Sequence, residues 1–266
     1  MTEDSLAQLI ANATPVGDGF SVEVTPNWTQ GRTSFGGLTS ALLLEVARRE
    51  VPDLPPLRSA LIDFTGPVTE PATYSAEILR QGRTIITIEA RAKSRDQVVG
   101  PGRFPFGHAR ESGISVPCPA PDAPAPADTP DLIPPPARSI APGFHTNFDL
   151  RLIEGGLPGM GATRGYLRGW ARHKDPESRI GEVAQLCLGD ILPPAVFPLF
   201  PRLGPNSSMK WIFNVVDPDF STEDGWYQVE SEVTAAADGY SSQTMRMWSM
   251  DGRLIADGMQ SVIVFV

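Results

Sequence analysis

Nucleophiles, metal ligands and phosphate-binding loops carry most enzymatic chemistry, and this chain of 266 residues offers few of them at usable spacing. No serine sits in a G-x-S-x-G elbow: GISVP at 113–117 and GYSSQ at 239–243 both lack the second glycine. The run GMGATR at 159–164 breaks the dinucleotide fingerprint at its last position and reads as a glycine-rich turn, and no G-x-x-x-x-G-K-[ST] loop occurs. His108, His145 and His173 are scattered, with no carboxylate cluster beside them at ligand spacing. The expectation is therefore no metal and no cofactor. Cys118 and Cys187 show no pairing pattern, which predicts two free thiols and a reducing, cytoplasmic setting.

Thirty-one acidic against 22 basic residues give a net charge of -9. A nucleic-acid surface needs clustered Lys and Arg to neutralise phosphates, so such a partner is excluded. The longest uncharged apolar run, Ile191 to Pro201, is interrupted by prolines and too short for a membrane span. The first residues are acidic and lack an apolar signal core, so no export by a signal peptide is expected.

Two stretches with helical spacing stand in comparable places along the chain. Gly36 to Arg49 carries Leu38, Leu42 and Val46; Ser178 to Gly189 carries Ile180, Val183, Ala184 and Cys187. Strand-like sequence follows each helix. The first set is Ser59 to Phe64, Thr73 to Gln81, Thr84 to Ser94 and Val98 onward; the second is Met209 to Val216, Trp226 to Ala235, Ser241 to Ser249 and Leu254 to Val266. Between the two sets, residues 116–142 hold ten of the 27 prolines and predict a polyproline-like linker. The pattern is a tandem duplication of one helix plus antiparallel sheet, an α+β architecture without parallel β-α-β alternation.

Specific residues sharpen this picture. GRTSFGGLTSALLLE at 31–45 opens a helix with an aromatic and a Gly-Gly pair; AQLCLGD at 184–190, NSSMKW at 206–211, WSMDGRLIA at 248–256 and Met259-Gln260 follow in the second half. With the duplication, these resemble acyl-CoA thioesterases of the type II, double hot-dog kind. The resemblance implies a tandem hot-dog fold, each half a long helix wrapped by a curved antiparallel sheet. The N-terminal hot-dog domain would span 1–115, the Pro-rich linker 116–142, and the C-terminal hot-dog domain with the catalytic residues 143–266.

The resemblance also implies hydrolysis of an acyl-CoA, or another acyl thioester, by a water held on Asp190, Ser208 and Gln260. Alone, Asp190 reads as a capping or solvated carboxylate, Ser208 as a strand-entry serine and Gln260 as a water-facing edge residue. Strand alternation favours Ser208 over Ser207, because it sets Ser208 on the face opposite Met209, Trp211 and Phe213. Gly36 and Gly37 are substrate-binding candidates, since amides at a helix start can face a developing oxyanion; close packing of helix and sheet is the other reading. An apolar tunnel between helix and sheet would take the acyl chain.

A hot-dog hydratase or dehydratase would need Asp and His about five residues apart, but Ala195 lies five beyond Asp190 and Val68 five beyond Asp63. The alternative of another class is a non-catalytic hot-dog module that binds an acyl or aromatic ligand. Homo-oligomer formation is expected but not required, because the two halves can pair their sheet edges within one chain.

Overall fold

The computed structural model describes residues 3–51, 53–69, 71–95, 97–202 and 204–265. The chain opens with helix α1 (Leu6–Ala11), then strands β1 (Thr14–Val16) and β2 (Gly19–Val22), and the short pair β3 (Thr29–Gln30) and β4 (Thr33–Ser34). Helix α2 (Gly36–Glu50) precedes β5 (Ser59–Asp63), β6 (Ala72–Gln81), β7 (Ile85–Ser94) and β8 (Gln97–Gly107). The second half contributes β9 (Phe148–Gly155), β10 (Tyr166–His173), α3 (Gly181–Gly189), β11 (Asn206–Val215), β12 (Tyr227–Ala237), β13 (Tyr240–Ser249) and β14 (Leu254–Val264).

Twelve of the strands form one sheet in the order β1-β2-β6-β7-β8-β5-β11-β14-β13-β12-β10-β9, and every pairing in it is antiparallel. Read outward from the β5–β11 seam, the two halves list matching elements: β8, β7, β6, β2 on one side and β14, β13, β12, β10 on the other. This is the duplicated α+β architecture expected from the sequence. At the seam Ile62 lies opposite Trp211 and Ala60 opposite Phe213, so alternate residues from both halves enter one core.

Helix α2 is buried almost all round, with Leu38, Ala41, Leu42, Leu43 and Leu44 fully covered. It touches β6, β7 and β8 on one side and α3 on another, which explains why its apolar residues exceed a single stripe. Arg48 in its last turn pairs with Glu182 in the first turn of α3, so the helices run antiparallel with each charge at a favourable helix end. Helix α3 has nine residues and is shorter than its helical spacing predicts. The segment before it is a 3-10 turn, Pro176–Arg179, followed by an extended, exposed Ile180 and by Gly181 at φ 81°. A left-handed backbone suits glycine, and it interrupts the helix there.

The proline-rich segment is laid across the outer face of the second half of the sheet. Trp248 Nε1 donates to the Cys118 carbonyl (2.9 Å), Gln228 Nε2 to that of Pro121 (3.1 Å), Arg168 Nη1 to that of Asp122 (3.3 Å) and Trp170 Nε1 to that of Pro124 (2.9 Å). Farther on, Leu132 N–H donates to Leu150 O and Leu152 N–H to Pro130 O, covering the open edge of β9. Proline leaves a backbone rich in acceptors and poor in donors, and the sheet supplies the missing donors from outward side chains. Gln228 is buried in consequence although it lies on the outer face, and Glu230 beside it is buried accepting from Tyr166 Oη at 2.8 Å. Cys118 and Cys187 are free thiols, the latter buried.

Each indole N–H in this strap is worth about 0.5–1.5 kcal/mol as a net hydrogen bond. Trp170→Phe combined with Trp248→Phe should therefore lower the unfolding free energy by about 2 kcal/mol in urea titrations while leaving the far-ultraviolet dichroism of the sheet unchanged.

Candidate active site

The start of α2 and the end of α3 meet above the pair β11–β14. Three glycines make the approach feasible. A Cβ on Gly37 would stand 2.4 Å from the Cys187 carbonyl oxygen, and one on Gly189 would stand 2.8 Å from the Phe213 ring and 3.1 Å from the Trp211 indole. A Cβ on Gly36 would stand 2.6 Å from Asp190 Oδ2, so this glycine leaves room for a carboxylate. Close packing therefore accounts for Gly37 and Gly189, and Gly36 borders the acidic group itself.

Asp190 is the C-cap residue of α3 and is partly buried. Gln260 Nε2 donates to its Oδ1 at 2.8 Å. Gln260 is buried on the inner face of β14, opposite Trp211 of β11 on one side and Gln243 of β13 on the other. Its own carbonyl Oε1 accepts from Gln243 Nε2 at 3.0 Å, and Gln243 Oε1 accepts the backbone N–H of Ala195 at 2.7 Å. The line of bonds thus returns to the loop that follows Asp190.

Burial pushes the Asp190 carboxyl up to about 7, while the hydrogen bonds from Gln260 and from the Gly37 amide pull it down. A carboxyl balanced in this way can accept and return a proton near neutral pH. Burial, with the nearby Asp190 charge, raises the Cys187 thiol, so it stays protonated and is a poor nucleophile.

Ser208 differs from the sequence expectation in orientation. The β11–β14 register shifts between Ser208 and Lys210, making Met209 an extra residue; Ser208 then lies opposite Val262 and Trp211 opposite Gln260. Directly opposed residues share a face, so Ser208 stands on the same face as Gln260, Val262 and Trp211. The bulge cancels the alternation that would have set it opposite Trp211. Ser207 pairs with Ile263 on the other face and is exposed. The structure joins Asp190 and Gln260 directly, while the Ser208 hydroxyl forms no hydrogen bond among the described residues.

Beneath Gly189, next to Asp190, Trp211 and Phe213 fill the space between α3 and the sheet, with ring centroids 5.5 Å apart. A cavity of about 1220 Å³ opens instead at the opposite end of the helices, between Arg48, Glu182, Val183 and Phe220. Gln243 is the site residue that sequence reasoning missed. Ser241, Gln243, Met245 and Met247 alternate on the buried side of β13, and that period of two was the available signal. Among the described residues no group of three His, Cys, Asp or Glu could hold a metal ion, and no helix is long and apolar enough to cross a membrane.

A sheet of matched halves, with two antiparallel helices against it and a carboxylate where their ends meet, defines a double hot-dog protein. Sequence profiles extend this to the family level: the acyl-CoA thioesterase N-terminal domain matches residues 24–106 and the acyl-CoA thioesterase C-terminal domain residues 118–264. The chain belongs to the acyl-CoA thioesterase family, whose activity is thioester hydrolysis. A hot-dog-fold protein of unknown function from Alicyclobacillus acidocaldarius superposes with a TM-score of 0.88 at 23% identity, covering 100% of this chain and 99% of that one. An acyl-CoA thioesterase II from Mycobacterium marinum gives 0.73 at 20% identity, covering 96% of each chain. The tesB protein of Mycobacterium avium subs paratuberculosis gives 0.76 at 18% identity, covering 98% of this chain and 100% of that one. A search of curated proteins finds no match.

The raised Asp190 carboxyl has a consequence for stability. Between its ordinary value of 3.8 and about 7, the folded chain holds a proton that the unfolded chain has lost. Stability from this group is therefore full below about 3.8 and falls as pH rises through about 7. Asp190→Asn removes the titration, so its melting temperature should exceed that of the wild type at pH 8 and lose this advantage at pH 4.

Proposed function

We propose that the chain hydrolyses an acyl-CoA thioester to a free acid and CoA, using a water activated by Asp190 and held by Gln260 and Ser208. The observation that carries this reading is the 2.8 Å bond from Gln260 to a carboxyl raised to about 7, at a helix junction where Gly36 leaves room for the carboxylate. A carboxylate that accepts a proton at neutral pH is what a general base requires. Oxygen of the water attacks the thioester carbonyl carbon while its proton passes to Asp190. The tetrahedral intermediate then expels the CoA thiolate, which takes that proton back from Asp190.

A thioester has little of an amide's resonance, so positioned water suffices without a covalent nucleophile. Gln260 directs the water with its second N–H, and the free Ser208 hydroxyl lies on the same face to hold it. The thioester carbonyl is placed beside Gly36 at the positive end of α2, next to the carboxylate, while Gly37, packed on the Cys187 carbonyl, turns its amide to Asp190. We place this activity in the cytoplasm.

Initial rates of thiol release with acyl-CoAs from acetyl to palmitoyl test the reading. Asp190→Asn should lower turnover by about 100-fold or more, the usual worth of a general base. Gln260→Ala and Ser208→Ala should cost less, while Cys187→Ala, which removes no proposed nucleophile, should turn over near the wild-type rate. Full activity of Asp190→Asn would move the active site elsewhere. Ligand binding without turnover of any acyl-CoA would favour the non-catalytic module instead.

A further inference from the structure

The two glutamines behind Asp190 make a line of hydrogen bonds whose direction is fixed at one end. An amide side chain can be turned over to exchange its oxygen and nitrogen, but a backbone N–H can only donate. Ala195 N–H lies 2.7 Å from Gln243 Oε1, so that atom must be the acceptor. The other end of the Gln243 amide is then the NH2 group, and its bond of 3.0 Å to Gln260 requires a carbonyl oxygen there. Gln260 in turn presents NH2 to Asp190. Each step follows from the previous one by the inventory of donors and acceptors.

We propose that Gln243 is a positioning residue which, anchored on the Ala195 amide, holds the Gln260 amide in the one orientation that turns its N–H toward the Asp190 carboxylate. The inference rests on the reading of Asp190 as the general base. It gives Gln243 a task that burial alone does not explain: Gln243 and Gln260 are both almost fully buried, and each spends its polar atoms on this line. In low dielectric, a polar group without a partner is costly, so the line is built complete.

Without Gln243, only the ionised Asp190 carboxylate, which accepts but cannot donate, favours this orientation of Gln260, and protonated Asp190 pairs with either end of the amide. With the amide reversed, a carbonyl oxygen faces Asp190 and favours its protonated form. Few other groups compete for control of Asp190. From its own helix the titratable neighbour is Cys187; α2 presents uncharged Gly36 and Gly37, β14 presents Gln260, and β11 presents Trp211 and Ser208. Phe64, after β5, borders Gly36, while Asp63 and Lys210 pair with each other at the seam. Arg48 is engaged at the far end of the helices with Glu182.

The test is a double-mutant cycle on the full chain, with Gln243→Met and Gln260→Met singly and together. The readouts are the acidic limb of kcat/KM and the carboxyl-carbon NMR titration of Asp190. Gln243→Met should move the Asp190 titration upward by about one pH unit. Because Gln243 acts through Gln260, adding Gln243→Met to Gln260→Met should bring no further shift. A wild-type titration of Asp190 in Gln243→Met, or shifts that simply add, would overturn the proposal.

The wild-type protein supplies a second measurement that needs no variant to fold. The Gln260 side-chain amide resonances should follow the Asp190 titration, and resonances indifferent to it would sink the orientation claim. The NMR readouts do not depend on turnover. Should Asp190→Asn remain active, the proposed mechanism fails while these titrations still decide what Gln243 does.

Discussion

A carboxylate at the meeting point of two helix ends is costly, and much of the local structure answers that cost. Asp190 stands at the C-terminal end of its own helix, where the dipole disfavours negative charge, and at the N-terminal end of α2, where it favours it. The opposing ends meet closely because Gly37 and Gly189 lack side chains, and the carboxylate fits because Gly36 does. Gln260 and the Gly37 amide then hold the charged form against desolvation. Remove the glycines and the helices must part; remove the donors and the group must neutralise.

The seam between halves lets one chain assemble this junction. Strand β5 of the first half pairs with β11 of the second over Asp63↔Lys210 to Ser59↔Asn214, so the sheet is continuous across the repeat. The half that supplies α2 brings Gly36 and Gly37, and the half that supplies α3, β11, β13 and β14 brings Gly189, the acid, the serine and both glutamines. Covering the outer face of that second half, the proline strap uses donors that would otherwise face water. The halves therefore share an architecture but differ in what they contribute, as a duplication followed by divergence would leave them.

Long strands and α2 were legible in the sequence because their apolar periods are strong and their turns are marked. Gly36–Glu50 and all eight strands following the helices agree with the expected segments to within a few residues at most ends. Strands β1 to β4, β9 and β10 were not legible. In β10 the residues of both faces are almost all buried, the outer ones by the proline strap, and this erases the alternation that marks a half-exposed strand. The face of Ser208 was misjudged for a related reason: a bulge at Met209 adds one residue, and a single residue reverses the face of everything beyond it. Asp190 and Gln260 were named through resemblance, whereas Gln243 carries no motif, and only the period-two alternation of β13 and the places of its neighbours mark it.

The direction of the hydrogen-bond line links these local facts to reactivity. A buried carboxyl with no donors would stay protonated at neutral pH, and one fully paired with cations would lose its affinity for protons; neither could act as a base. Neutral amides occupy the middle ground. They stabilise the anion without carrying a charge, and their benefit depends wholly on which end points inward. Since an amide can reverse at little cost in shape, its orientation is set by groups that cannot reverse: in this line the ionised carboxylate at one end, which only accepts, and a backbone N–H at the other, which only donates. The Ala195 amide serves that purpose from a proline-flanked loop five residues beyond Asp190. The proposed base and the anchor that orients its hydrogen-bond donor are thus parts of one short segment, and a displacement of that segment would move both together.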